Sequence, residues 1–112
     1  MNIRLMGCIV LLALGSCTSL KQPHERFITN MNTTVAYGAT INELGRYSRF
    51  AMKRYLNQIE DLNDVEKYHY KKPMLPGGYC YYHFVIDKQT RKVIGWAFDA
   101  HLGDPRMCGN SG

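Results

Sequence analysis

The period of apolar and polar positions changes several times along the chain, and each change predicts an element. Residues 5–14 form an apolar run broken only by Gly7. Residues 18–35 are mostly polar and aperiodic, with Lys21, Gln22, Pro23, Asn30, Asn32, Thr33 and Thr34. This composition reads as a flexible tether of roughly 20–25 Å reach, with Phe27, Ile28 and Met31 as the side chains able to dock locally. Thr40 and Glu43 then have capping-box spacing. At 100° per residue, Ile41, Leu44, Ser48, Ala51, Met52, Tyr55, Ile59 and Leu62 share one arc, which predicts a single amphipathic helix over about 40–62. Gly45 weakens its first turns, and Asn63-Asp64 stop it. The opposite arc carries Arg46, Arg49, Lys53 and Arg54, with Phe50 among them.

Beyond the helix the period becomes two. Residues 65–71, 79–86 and 93–98 alternate or are rich in aromatic and β-branched side chains, separated by a Pro/Gly turn at 72–78 and a polar loop at 87–92. One helix followed by a three-stranded antiparallel meander gives an α+β fold of two layers. In the preferred register, Tyr82, Phe84 and Ile86 share a face with Ile94, Trp96 and Phe98; a one-residue slip would exchange the faces of the last strand and set Gly95 beside Phe84. In either register Tyr79, Tyr81 and His83 form a row on the other face.

The N-terminal run is about half the 20 or so apolar residues that a membrane-crossing helix needs. With Arg4 before it and Gly15-Ser16 after it, it has the order of a secretory signal. Leu14-Gly15-Ser16-Cys17 resembles the lipobox of bacterial lipoprotein precursors. That resemblance implies removal of residues 1–16, Cys8 with them, and acylation of Cys17. Two or three acyl chains, each methylene contributing about 0.8 kcal/mol, anchor stably. The residue after the cysteine is Thr18 and not Asp, which in the same family implies an outer-membrane address. The expected organisation is therefore a signal peptide (1–16), a lipidated N-terminus and tether (17–38) and an α+β domain (39–112).

Composition adds exclusions. A chain of 112 residues with 46% hydrophobic and 21% charged residues allows one ordinary globular domain and no large nucleotide-binding architecture. Loss of the signal leaves 13 basic against nine acidic residues, a mild excess spread along the chain, and no nucleic-acid binding is expected. An exported chain meets an oxidising compartment, where Cys80 and Cys108 have only each other; a disulfide between them is expected, worth about 3–4 kcal/mol. Two lone cysteines lack zinc-site spacing, and no Cys-x-x-Cys is present.

No nucleophile motif stands out: Ser48 lies on the apolar stripe, and Glu60, Asp61 and Asp64 cluster without a pocket the sequence vouches for. No enzyme activity, cofactor or metal is expected. The metal alternative sets His69 opposite His83 across the first hairpin, with a carboxylate such as Asp99 or Glu66, and His101 close by.

The segment from Tyr79-Cys80 through Gly95-Trp96 to Cys108 is similar to the C-terminal part of many small bacterial lipoproteins. Helix-then-meander behind a lipobox resembles the BamE (SmpA/OmlA) type of outer-membrane assembly lipoprotein over about residues 40–99. These resemblances imply a non-enzymatic module for interaction or assembly in the bacterial envelope, held to the membrane by acyl chains on Cys17 and contacting a protein partner. Arg46, Arg49, Phe50 and Lys53, with Tyr79, Tyr81 and His83, are the expected contact residues. The alternatives are a small-ligand or metal-binding lipoprotein and a surface lipoprotein acting on host or competitor molecules.

Overall fold

The computed structural model describes residues 22–109. The expected signal peptide and the lipobox-like segment, with Cys17 and Thr18, lie outside the described residues. Among those described, no helix is long and apolar enough to cross a membrane.

Among the described residues the architecture is α+β, with two helices, short 3-10 turns and one four-stranded antiparallel sheet. Helix α1 spans Pro23–Tyr37 and α2 spans Ile41–Tyr47; the strands are β1 (Leu56–Asp61), β2 (Val65–Pro73), β3 (Tyr79–Asp87) and β4 (Val93–Phe98). They pair in chain order, β1-β2-β3-β4.

Much of the expected tether is thus helix. Pro23 opens α1 with a preset φ, the Glu25 carboxylate accepts from the Gln22 N–H at 3.1 Å, and Gly38 closes the helix at φ 75°. Its apolar stripe is narrow: Phe27 and Met31 are buried, and Val35 packs against the same core. The Phe27 ring meets Phe50, Tyr82, Trp96 and Phe98 at centroid distances of 5.2–6.3 Å. Two of the three residues singled out for local docking therefore join the core, while Ile28 is half-buried.

The single helix expected over 40–62 is also corrected. Thr40 and Glu43 do form the capping box, but α2 runs only seven residues. Ser48 ends it and turns its hydroxyl to the Phe50 N–H at 3.2 Å; two 3-10 turns, Arg49–Ala51 and Lys53–Tyr55, follow. The chain then enters β1, a fourth strand where three were expected. A bulge between Leu56 and Gln58 explains the misleading period. It lets Leu56 pair with Tyr70 and Ile59 with Tyr68, so two apolar residues three apart share one strand face.

The 79–98 hairpin keeps the preferred register over most of its length, with Tyr82 opposite Phe98 and Phe84 opposite Trp96. A second bulge, between Val85 and Ile86, sets Ile86 opposite Val93. Val93 is consequently buried and Ile94 is 53% exposed, the reverse of the expected arrangement. Gly95 lies against Val85, not Phe84.

Both helices cover one sheet face. Tyr70, Tyr82, Phe84, Ile86 and Val93 are buried there beneath Phe27, Met31, Ile41 and Leu44. The Tyr82 hydroxyl donates to the Phe50 carbonyl at 2.6 Å, and burial pushes its pKa far above the ordinary tyrosine value. Alternation places His69, His83 and Asp99 on the opposite face.

Candidate functional site

The sheet face away from the helices carries a polar chain across three strands and the residue that follows the fourth. His69 of β2 and His83 of β3 are direct register partners, with ring centroids 5.0 Å apart. Asp99 lies one residue past β4, its N–H donating to the Tyr81 carbonyl at 3.0 Å, so the ladder itself fixes its position. Its two carboxylate oxygens lie 2.8 Å from Nδ1 of His69 and 2.8 Å from Nδ1 of His83. The other nitrogen of His69, Nε2, is 3.0 Å from Oε1 of Glu60 on β1. Asp99 is only 4% exposed and His83 8% exposed.

Proton positions follow from the donor inventory. A carboxylate only accepts, so each Nδ1 facing Asp99 carries the hydrogen, and Nε2 of His69 donates to Glu60. His69 with both nitrogens donating is an imidazolium. Burial opposes that charge, but the hydrogen bonds and charges of Asp99 and Glu60 outweigh it and raise the His69 pKa above the usual histidine value. Burial would raise Asp99, yet the bonds from His69 and His83 hold its carboxyl below the usual range. Bonding to His69 holds Glu60 low as well.

The contact residues expected from sequence do not form one surface. Arg46, Arg49 and Lys53 are exposed, but on α2 and the two successive 3-10 turns. Phe50 is half-buried: its ring meets Phe27 edge-on at 5.2 Å and its carbonyl receives the Tyr82 hydroxyl, so it packs against the core. His83 shares the sheet face of Tyr79 and Tyr81 but is buried, bonded to Asp99. Tyr79 is 45% exposed with the Lys71 ammonium 4.4 Å above its ring, and Tyr81 is half-buried under the tail near Gly103. Glu66 pairs with Arg91 at 2.6 Å on the helix-covered face, away from both histidines, and His101 is exposed.

Cys80 and Cys108 are bonded, with S–S 2.03 Å, and both are buried. The bond ties the tail to β3, and His24 of α1 hydrogen-bonds the Cys108 carbonyl at 3.0 Å.

Two features were not legible beforehand. Glu60 joins the histidines only because β1 exists, so a helical reading of 40–62 hides it. A groove of about 480 Å3 opens between α2 and the β1–β2 edge, lined by Ile41, Arg46, Lys53, Ile59, Tyr68 and Tyr70 among others and, among the described residues, by no acid. Ile59 is 47% exposed within it. Comparison with family models, with curated proteins and with solved structures finds no match to this chain.

Proposed function

We propose that this chain is a lipid-anchored protein of the bacterial envelope, expected at the outer membrane, that works by binding a protein partner and not by catalysis. The observation that carries the address is the Cys80–Cys108 disulfide. Such bonds form and persist outside the reducing cytoplasm, which agrees with the signal-like N-terminus and the lipobox-like Leu14-Gly15-Ser16-Cys17. Acylation of Cys17 would concentrate the domain at the membrane and turn a modest protein contact into an effective one.

The contact surface proposed is the groove beside α2. It combines an exposed apolar floor at Ile59 with a cationic rim at Arg46 and Lys53, a pairing that suits an acidic segment bearing one or two large apolar side chains. Intact mass spectrometry of the membrane-extracted protein, without reductant, tests the address. The expected mass corresponds to cleavage before Cys17, added acyl chains and a two-hydrogen deficit. An unprocessed precursor with free thiols overturns it. A photocrosslinker at Ile59 tests the groove: its adduct should fall away when Arg46→Glu and Lys53→Glu are combined. An adduct of unchanged yield removes the groove from the proposal.

A further inference from the structure

The open face of the sheet holds a set of donors that the partner-binding reading does not use. Strand register brings His69 and His83 side by side, and the end of β4 brings Asp99 between them. One ligand atom from each of the three lies within 4.8 Å of the others. We propose that His69, His83 and Asp99 form a binding site for a divalent transition-metal ion of the zinc or copper class, with Glu60 as its positioning carboxylate.

Donor chemistry selects that class. Two imidazole nitrogens and one carboxylate oxygen suit borderline ions such as Zn2+ and Cu2+, whereas Ca2+ and Mg2+ prefer all-oxygen sets. The atoms already converge, since both Nδ1 atoms aim at the two oxygens of one carboxylate, each at 2.8 Å. They also stand on rigid elements: two come from adjacent paired strands, and the third has its backbone N–H in the ladder. A site of this build loses little order when an ion enters.

Glu60 is the second, independent observation. Metal-bound histidines commonly donate their remaining N–H to a carboxylate, which fixes the tautomer and ring plane. Nε2 of His69 already faces Oε1 of Glu60 at 3.0 Å, leaving Nδ1 as the coordinating nitrogen. On binding, the ion takes the place of the Nδ1 hydrogens: that of His69 leaves to solvent while its Nε2–H stays on Glu60, and His83 changes tautomer. Asp99 and His83 are buried, and the chain of groups reaches solvent at its Glu60 end, where that side chain is 42% exposed. Water completes the shell, as in sites with three protein ligands.

The test is calorimetric titration of the full chain in detergent, stripped with chelator and kept oxidised, with zinc chloride and separately with copper(II) chloride. One ion per chain at micromolar or tighter affinity is expected. His83→Ala should abolish that binding, and Glu60→Gln, at a half-exposed side chain, should weaken it by about 10- to 100-fold with an unchanged circular dichroism spectrum. Should His83→Ala fail to fold, Asp99→Asn replaces it, since the amide keeps the size and an acceptor but loses the charge. Absence of saturable binding up to sub-millimolar metal overturns the site. So does native affinity in the folded ligand variant, which would place the ion elsewhere, and native affinity in Glu60→Gln removes Glu60 from its role.

Discussion

Opening the Cys80–Cys108 bond tests whether the tail is held by chain topology or by its contacts. The two cysteines are 28 residues apart. In the chain-entropy model a loop of that length restricts the unfolded state by about 3.6 kcal/mol at 25 °C. A domain of this size typically has a total stability of about 0.05–0.15 kcal/mol per residue, so the bond supplies a large share of it. Reduction removes no side-chain heavy atom from the core, and in the chain-entropy model most of the effect therefore lies in the unfolded chain. Urea unfolding of the oxidised and dithiothreitol-treated protein should differ by about 3–4 kcal/mol, with a melting temperature lowered by roughly 15–25 °C. The slope with urea should rise on reduction, since the freed unfolded chain exposes more surface. Cys80→Ala with Cys108→Ala should match the reduced protein or fall slightly below it, through the space each sulfur vacates. A loss under about 1 kcal/mol would refute the reasoning: the tail would then be held by the His24–Cys108 and Asp99–Tyr81 hydrogen bonds.

Phe27→Ala should cost about 3–5 kcal/mol by denaturant melt, because the ring fills the space between four other aromatics; a loss below about 1 kcal/mol would mean that α1 is not docked. Tyr82 has a folded pKa raised above its unfolded value of about 10, so its contribution is fully present below that pH and is lost as pH rises beyond it. Melts at increasing alkaline pH should show that loss, and Tyr82→Phe, about 0.5–1.5 kcal/mol less stable at neutral pH, should lose less; parallel curves refute the assignment. Ile59→Glu, at a half-exposed groove position, should change stability by no more than about 0.5 kcal/mol while abolishing partner crosslinking from Lys53; unaltered crosslinking would detach the groove from the partner.

The meander was legible because its core face obeys a strict period of two: Tyr82, Phe84 and Ile86 are all buried. Cys80 and Cys108 were legible by elimination. The N-terminal half was not, for reasons that particular residues show. Helix α1 buries Phe27 and Met31 along one narrow line, and the polar residues between them look like coil. Leu56 and Ile59 imitate a helical repeat because the bulge absorbs one residue. Val93 replaces Ile94 in the core for the same kind of reason, a bulge that no single-strand pattern announces. His69 and His83 could be set opposite one another from the hairpin alone, but Glu60 depended on a strand read as helix.

The two faces of the sheet meet in the segment after β4. Asp99 ends the strand on the open face and binds both histidines, and nine residues later Cys108 is bonded to Cys80 beneath the helices. The near end is held by the ladder through the Tyr81 carbonyl and by a turn in which the Leu102 N–H donates to the Asp99 carbonyl at 2.9 Å. Asp99 is therefore placed by local backbone bonds that do not need the disulfide. The disulfide, acting chiefly on the unfolded chain, sets how often the fold opens and not where the carboxylate sits. Stability and site geometry are thus separable in this chain: the disulfide adds stability by restricting the unfolded chain, while sheet register sets the histidines side by side and Asp99 and Glu60 orient them.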